Sequence, residues 1–303
     1  MRCKTMWQGF GIVPWCCLAV AKHGWGMGRR NAFWFALPAV ASLGLFLLYP
    51  FLDVLRFSTW DWSGLSEPRG VGLENYRDIL RDPDFYNSLR ITLVFGVMTL
   101  VPFVLLSVLL ALALDGQPYE RPIKALLFLP GLVTLGGAAV AWYTLFSPEY
   151  GALASLIPVP RWDQSPFWAL VLIMLFTIWR HIGYGVLVVS ARLKAIPKAL
   201  LEAAAVDGAT PAQSFRFITL PLLRPAITFL VVIGTVLTLQ GYTAVFLLTR
   251  GGPFGGTEVL GYYLYKTGFE AGRLGYAAAL TVIILLLTLA FALAQARLLR
   301  EER

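Results

Sequence analysis

Residues 105–114 read LLSVLLALAL, with one hydroxyl and no charge in ten positions. A half-buried strand alternates polarity every second residue. A helix on a soluble protein shows a polar face every three or four. This stretch does neither, and IILLLTLAFAL at 283–293 has the same character. Barrel strands are excluded too, because they are about 10 residues long and alternate. Continuous apolar segments whose backbone must satisfy itself in hydrocarbon are helices, and about 20 residues cross a roughly 30 Å core. Working outward on that length, six segments qualify: 33–51, 91–114, 125–146, 167–190, 226–249 and 277–296. Arg180 is the one Asp, Glu, Lys or Arg inside them.

The composition agrees. Of 303 residues, 58% are hydrophobic and 14% charged, against roughly 45–50% and 25% in soluble globular chains; mean hydropathy is +0.69. The net charge of +8 lies in breaks between apolar runs rather than in a patch, so nucleic acid is not the expected partner. Cys3, Cys16 and Cys17 sit together near the start without metal-ligand spacing, and His23 and His181 are the only histidines. A zinc site or histidine-based catalysis has little to draw on.

Residues 7–21 form a weaker apolar stretch interrupted by Pro14, too short to span. Three readings stand for residues 1–26: an interfacial or disordered tail, a signal-like segment without a clean cleavage site, or an artefact of start-site choice with translation beginning at Met27. The domain expectation is a cytoplasmic tail over 1–30 and a six-helix domain over 31–303. If the N-terminus is inside, inside segments carry fifteen Lys and Arg and outside segments nine, so both termini are expected in the cytoplasm. The 52–90 and 250–276 loops are then external, the latter with an interfacial helix at Tyr262–Phe269, and 191–225 is cytoplasmic.

That inner loop carries the most information. Residues 197–225 read PKALLEAAAVDGATPAQSFRFITLPLLRP. Lys198 to Val206 are good helix formers behind Pro197, Asp207-Gly208 is a helix stop, and Thr210-Pro211-Ala212-Gln213 is a start with a capping box. Pro221 and Pro225 are expected to break the chain before span five. The result is two short helices outside the membrane. Ala203, Ala204 and Ala205 give the first a smooth surface, with Glu202 and Asp207 at its ends, which suits docking into a partner's groove. Local physics alone leaves a solvated connector as the alternative.

EAAAVDGATPAQSFRFITLPLLRP (202–225) resembles, almost position for position, the EAA loop of ABC importer permeases. The similarity continues with FALPAV (35–40), VGLENYRDILRDPDFYNSLRITLVF (71–95), FLPGLV (128–133), FSPEYGALASLIP (146–158), LTRGGPFGGTEVLGYYLYKTGFE (248–270) and GYAAALTVIILLL (275–287), in the order of the carbohydrate-uptake branch, the maltose-type and glycerol-phosphate-type permeases. The resemblance implies an all-α membrane protein of type I importer architecture: six transmembrane helices with a cytoplasmic coupling helix in the 197–225 loop. It also implies a setting in a bacterial or archaeal inner membrane and surrounding lipid. The implied partners are a second permease subunit forming a heterodimer, two ATPase subunits and an extracytoplasmic solute-binding protein. Glu202, Ala203, Ala204, Asp207, Gly208 and Ala209 would seat in the ATPase cleft. No GxxxxGK[ST] run occurs in the chain, so no nucleotide-cradling loop is present. No cofactor is expected on this chain, and ATP would be bound and hydrolysed by the partner subunits.

An ionisable group inside a membrane is a functional candidate because it is costly in lipid. Arg180 and His181 occupy span four, and the resemblance places Tyr184 at a substrate-contacting position. In span five Thr238, Gln240, Tyr242 and Thr243 form a polar cluster. Hydroxyls, an amide and aromatic faces suit a polyhydroxylated ligand, although Thr and Gln also hydrogen-bond between packed helices. Arg180 leaves an anionic ligand such as a polyol phosphate open beside a neutral sugar. The rival reading, a stand-alone secondary sugar transporter, normally places a carboxylate at mid-membrane. None of the six spans holds one.

Overall fold

The computed structural model describes residues 37–153, 156, 158–239 and 241–298. The readings of residues 1–36 and of Gln240 lie outside the described residues. The chain divides into two compact units at Asp53/Val54. In the first, the described residues are helical and belong to α1 (Leu37–Phe57), which continues into the second unit.

The second unit opens with a two-residue antiparallel pair, β1 (Trp60–Asp61) and β2 (Arg69–Gly70). Helices follow: α2 (Glu74–Ile79), α3 (Pro83–Leu114), α4 (Glu120–Leu132), α5 (Leu135–Phe146), α6 (Pro166–Lys194) and α7 (Lys198–Val206). Then come α8 (Pro211–Leu239), α9 (Tyr242–Leu248), α10 (Leu260–Tyr265, extended by one wide turn to Glu270) and α11 (Leu274–Leu298). Among the described residues α1, α3, α6, α8 and α11 are long and apolar enough to cross a membrane; α4 and α5, bent by 99° at their junction, pass the same test only when the pair is taken as one span.

Apolar residues cover both the inside and the outside of these helices. Leu93, Val97, Val101, Leu105 and Leu109 of α3 are 42–64% exposed and recur every four residues, which makes an outward ridge. Its inward residues Phe95 and Phe103 are 2% and 5% exposed and pack on Phe176, Ile178 and Ile182 of α6. α3 and α6 therefore form the centre. Helices approach closely where side chains vanish: a Cβ on Gly183 would overlap the Leu127 carbonyl of α4, and one on Gly185 would overlap the Ser107 hydroxyl of α3.

Three expectations need correction. Span three is not straight: α4 ends at Leu132, Val133 is extended, and α5 starts after Thr134. Pro130 lies one turn before the break and cannot continue the hydrogen-bond ladder. Pro221 and Pro225 do not break the chain, because α8 runs through both from Pro211. A wide π turn at Phe215–Thr219 contains Phe217, whose carbonyl the Pro221 ring would meet in a regular helix, whereas Pro225 sits inside ordinary α-helix beyond it. Span five does not reach residue 249: α8 stops at Leu239 and Gly241 starts α9. The Tyr262–Phe269 helix forms, but Tyr262 and Tyr263 are 5% and 6% exposed, so it packs in protein on that face.

Asp82 ties the N-terminus of α3 to α10 and α11. Its side chain accepts from the Asp84 amide at 2.9 Å, from the Tyr276 hydroxyl at 2.7 Å and from the Tyr263 hydroxyl. Burial pushes the carboxyl up, and the hydrogen bonds from Tyr263, Tyr276 and the Asp84 amide outweigh it, so Asp82 stays below its usual range. A carboxyl lowered on folding stabilises above its unfolded pKa and loses that contribution as pH falls through the folded value. Asp82→Asn is therefore expected to lower the melting temperature at pH 7. The deficit should shrink below about pH 4. A pH-independent deficit in thermal unfolding scans would contradict the ionic part of this latch.

Candidate functional site

Two features stand out, a helix held at one end of the long spans and a small cavity between them. At 1.5 Å per residue the 29 residues of α6 are about 43 Å long. α7 follows its C-terminal end after Ala195–Pro197. The Asp207 amide donates to the Ala203 carbonyl and the Gly208 amide to Ala205, while the Ala209 amide reaches back to Ala204 at 2.9 Å. These bonds close the helix end only because Gly208 adopts φ +78°, a left-handed conformation that glycine takes at no steric cost. The capping box is present: the Thr210 hydroxyl accepts from the Gln213 amide at 3.3 Å, and Gln213 Oε1 accepts from the Thr210 amide at 2.8 Å.

Within α7 Ala204 alone is buried, at 8% exposure. Glu202, Ala203, Asp207 and Gly208 are exposed and Ala209 partly so. Glu202 and Asp207 form no ion pair among the described residues. The reading in terms of alanines and charges missed Leu200, Leu201 and Val206, which are 46%, 38% and 88% exposed. Three large apolar side chains on a helix outside the spans supply the contact area that docking needs. The signal available was their presence in an otherwise polar loop.

The cavity lies between α3, α6 and α8. Leu100, Phe103, Ile178 and Leu237 line it together with Thr99, Thr177, His181, Gly234 and Thr238, the surface it presents is apolar, and its volume is about 20 Å³, about that of one water. The Thr177 and Thr238 hydroxyls donate to the carbonyls of Ile173 and Thr235, and His181 Nδ1 lies 2.8 Å from the Thr177 carbonyl. Thr99 is 3% exposed and its hydroxyl has no hydrogen-bond partner. A buried hydroxyl left unpaired is costly. Thr99 and Thr177 were not singled out from the sequence; a lone Thr in a span reads as packing.

Of the expected path residues, His181 and Thr238 meet here. Tyr184 is one turn further along α6, 37% exposed and outside the lining. Tyr242 stacks on Phe246 and Tyr265, with centroids 5.4 and 5.0 Å apart, and borders a separate cavity. Arg180 points away from the cavity. Its guanidinium donates to the carbonyls of Val133 and Pro130 at 2.7 and 3.3 Å, which are exposed by the break between α4 and α5. The charge inside span four thus closes the open backbone of span three.

Long apolar spans around a small cavity, with Leu200, Leu201 and Val206 exposed on a helix beyond the end of α6, are the features to set beside known membrane proteins. Residues 27–303 match the family described as the binding-protein-dependent transport system inner membrane component. The chain belongs to that family and is a permease subunit, not an enzyme; ATP hydrolysis in such systems takes place on separate subunits. It is 34% identical over 276 residues to the sn-glycerol-3-phosphate transport system permease protein UgpA of Agrobacterium fabrum, covering 88% of this chain and 93% of the relative. It is 29% identical to the lactose transport system permease protein LacF of Rhizobium radiobacter, covering 90% and 95%. Its fold matches a chain of a bacterial ABC transporter importing the acidic polysaccharide alginate, with TM-score 0.78, 23% identity and coverage of 90% and 97%. Importers of this family work with a periplasmic binding protein and an ATPase.

Proposed function

We propose that this permease carries a neutral sugar or sugar derivative, forming half of the path beside a second permease subunit. The cavity carries the reading. Thr99, Thr177, Thr238 and His181 are among its lining residues, with no carboxylate and no guanidinium; the surface it presents in this structure is apolar, and only on opening would those side chains meet a hydroxyl-rich solute. One relative is named for sn-glycerol-3-phosphate transport and another for lactose transport, and the position of Arg180 on the α4–α5 break favours the neutral class. α7 is the coupling helix, seated through Leu200, Leu201, Val206, Glu202 and Asp207 in an ATPase subunit, two of which serve the heterodimer. The excess of basic residues on the α7 side supports cytoplasmic termini. A cavity of about 20 Å³ is far below the 300–1,000 Å³ of ordinary ligand pockets. Passage therefore requires α6 and α8 to separate, which ATP-driven closure at α7 would produce as a rigid-body motion.

The experiment replaces Cys3, Cys16 and Cys17 and introduces Thr238→Cys or Thr99→Cys in the assembled transporter. Reaction with a small hydrophilic thiol reagent should rise at least several-fold when ATP and loaded binding protein are supplied. Cysteines inert in every state would place both residues in packing and remove the path from this cavity.

A further inference from the structure

A charged groove lies where α4 begins and α6 ends. There Lys124 and Lys194 each place their ammonium 2.6 Å from the same oxygen, Oε1 of Glu120. With Arg121 they line an open groove of about 440 Å³. Three cations face one carboxylate, so the groove keeps a surplus of two positive charges. Each ammonium has three donors and spends one on Glu120. Arg121 makes no ion pair among the described residues. Ser190, in the same lining, is 4% exposed and its hydroxyl has no partner.

The rest of the groove is apolar and runs along the spans. Phe128 lies four residues beyond Lys124 on α4, and Leu187 seven residues before Lys194 on α6, about 6 and 10 Å deeper. Leu187 is 39% exposed. The groove is therefore layered as a bilayer is, with cations at the helix ends and hydrocarbon contacts below them. A small soluble anion would use the first layer and leave the second bare. A headgroup with an acyl chain uses both.

We propose that the groove between α4 and α6 holds an anionic phospholipid, its phosphate on Arg121, Lys124 and Lys194 and its chain along Phe128 and Leu187. Glu120 keeps the two ammoniums together and competes with the phosphate for them. The inference rests on the membrane placement of the spans and not on the solute proposed above, and its readout is lipid retention, not uptake.

The test is native mass spectrometry of the assembled transporter with added phosphatidylglycerol or phosphatidylcholine, without and with glycerol phosphate. Phosphatidylglycerol should be retained in preference to phosphatidylcholine. Arg121→Gln with Lys194→Gln, which leaves the Lys124–Glu120 pair intact, should cut retention by roughly 30-fold. Glu120→Gln should raise it, because both ammoniums are released. Equal retention of the two lipids, or retention unmoved by either variant, would overturn the proposal. Displacement of the lipid by millimolar glycerol phosphate would overturn it in favour of a soluble phosphate site.

Discussion

Gly208→Pro is expected to stop uptake while the protein still inserts. Proline fixes φ near −65°, whereas residue 208 stands at +78°, and proline would also delete the amide that bonds the Ala205 carbonyl. Both losses fall on the turn between α7 and α8, and together cost about 3 kcal/mol or more. That cost is enough to displace α7 from its docked geometry and lower uptake ~100-fold. Gly208→Asn is the control, since asparagine tolerates the left-handed region, and should retain most activity. Glu202→Lys, which reverses a charge on an exposed face, should reduce co-purification of the ATPase without disturbing insertion. Normal uptake and undiminished ATPase recovery in Gly208→Pro would remove α7 from the coupling role.

Arg180→Ala is expected to impair the protein for every solute. The guanidinium serves the half-buried Pro130 carbonyl and the exposed Val133 carbonyl at the break of span three, and a carbonyl left unpaired out of reach of water costs about 1–3 kcal/mol. Within a membrane few substitutes for those bonds exist. Thermal inactivation in detergent should move to lower temperature, and uptake of neutral and phosphorylated solutes should fall in parallel. A defect confined to phosphorylated solutes, with unchanged thermal stability, would instead put the guanidinium on the ligand.

The spans were legible because a lipid-embedded helix must be apolar on all faces, and LLSVLLALAL admits no other reading. The coupling unit was legible for a different reason. Caps and turns are local chemistry, so Thr210, Gln213 and Gly208 announce themselves without knowledge of the tertiary structure. What stayed hidden depends on neighbours. The bend between α4 and α5 is held from another helix by Arg180, fifty residues away from Pro130. The continuity of α8 through Pro221 and Pro225, with a π turn ahead of the first, is marked by no residue pattern. The polar positions of span five were read as one cluster, but the break after Leu239 sends Thr238 to the cavity and Tyr242 to an aromatic stack. Thr99 carried no signal, because its significance lies in a missing partner.

The account stands most directly on uptake into vesicles that contain this chain, its partner permease and the ATPase subunits. It predicts that sugar accumulates only when hydrolysable ATP reaches the ATPase side and loaded binding protein is present on the other, and that an ATPase variant unable to hydrolyse ATP gives none. Accumulation by this chain without the ATPase, driven by a proton or sodium gradient, would contradict it.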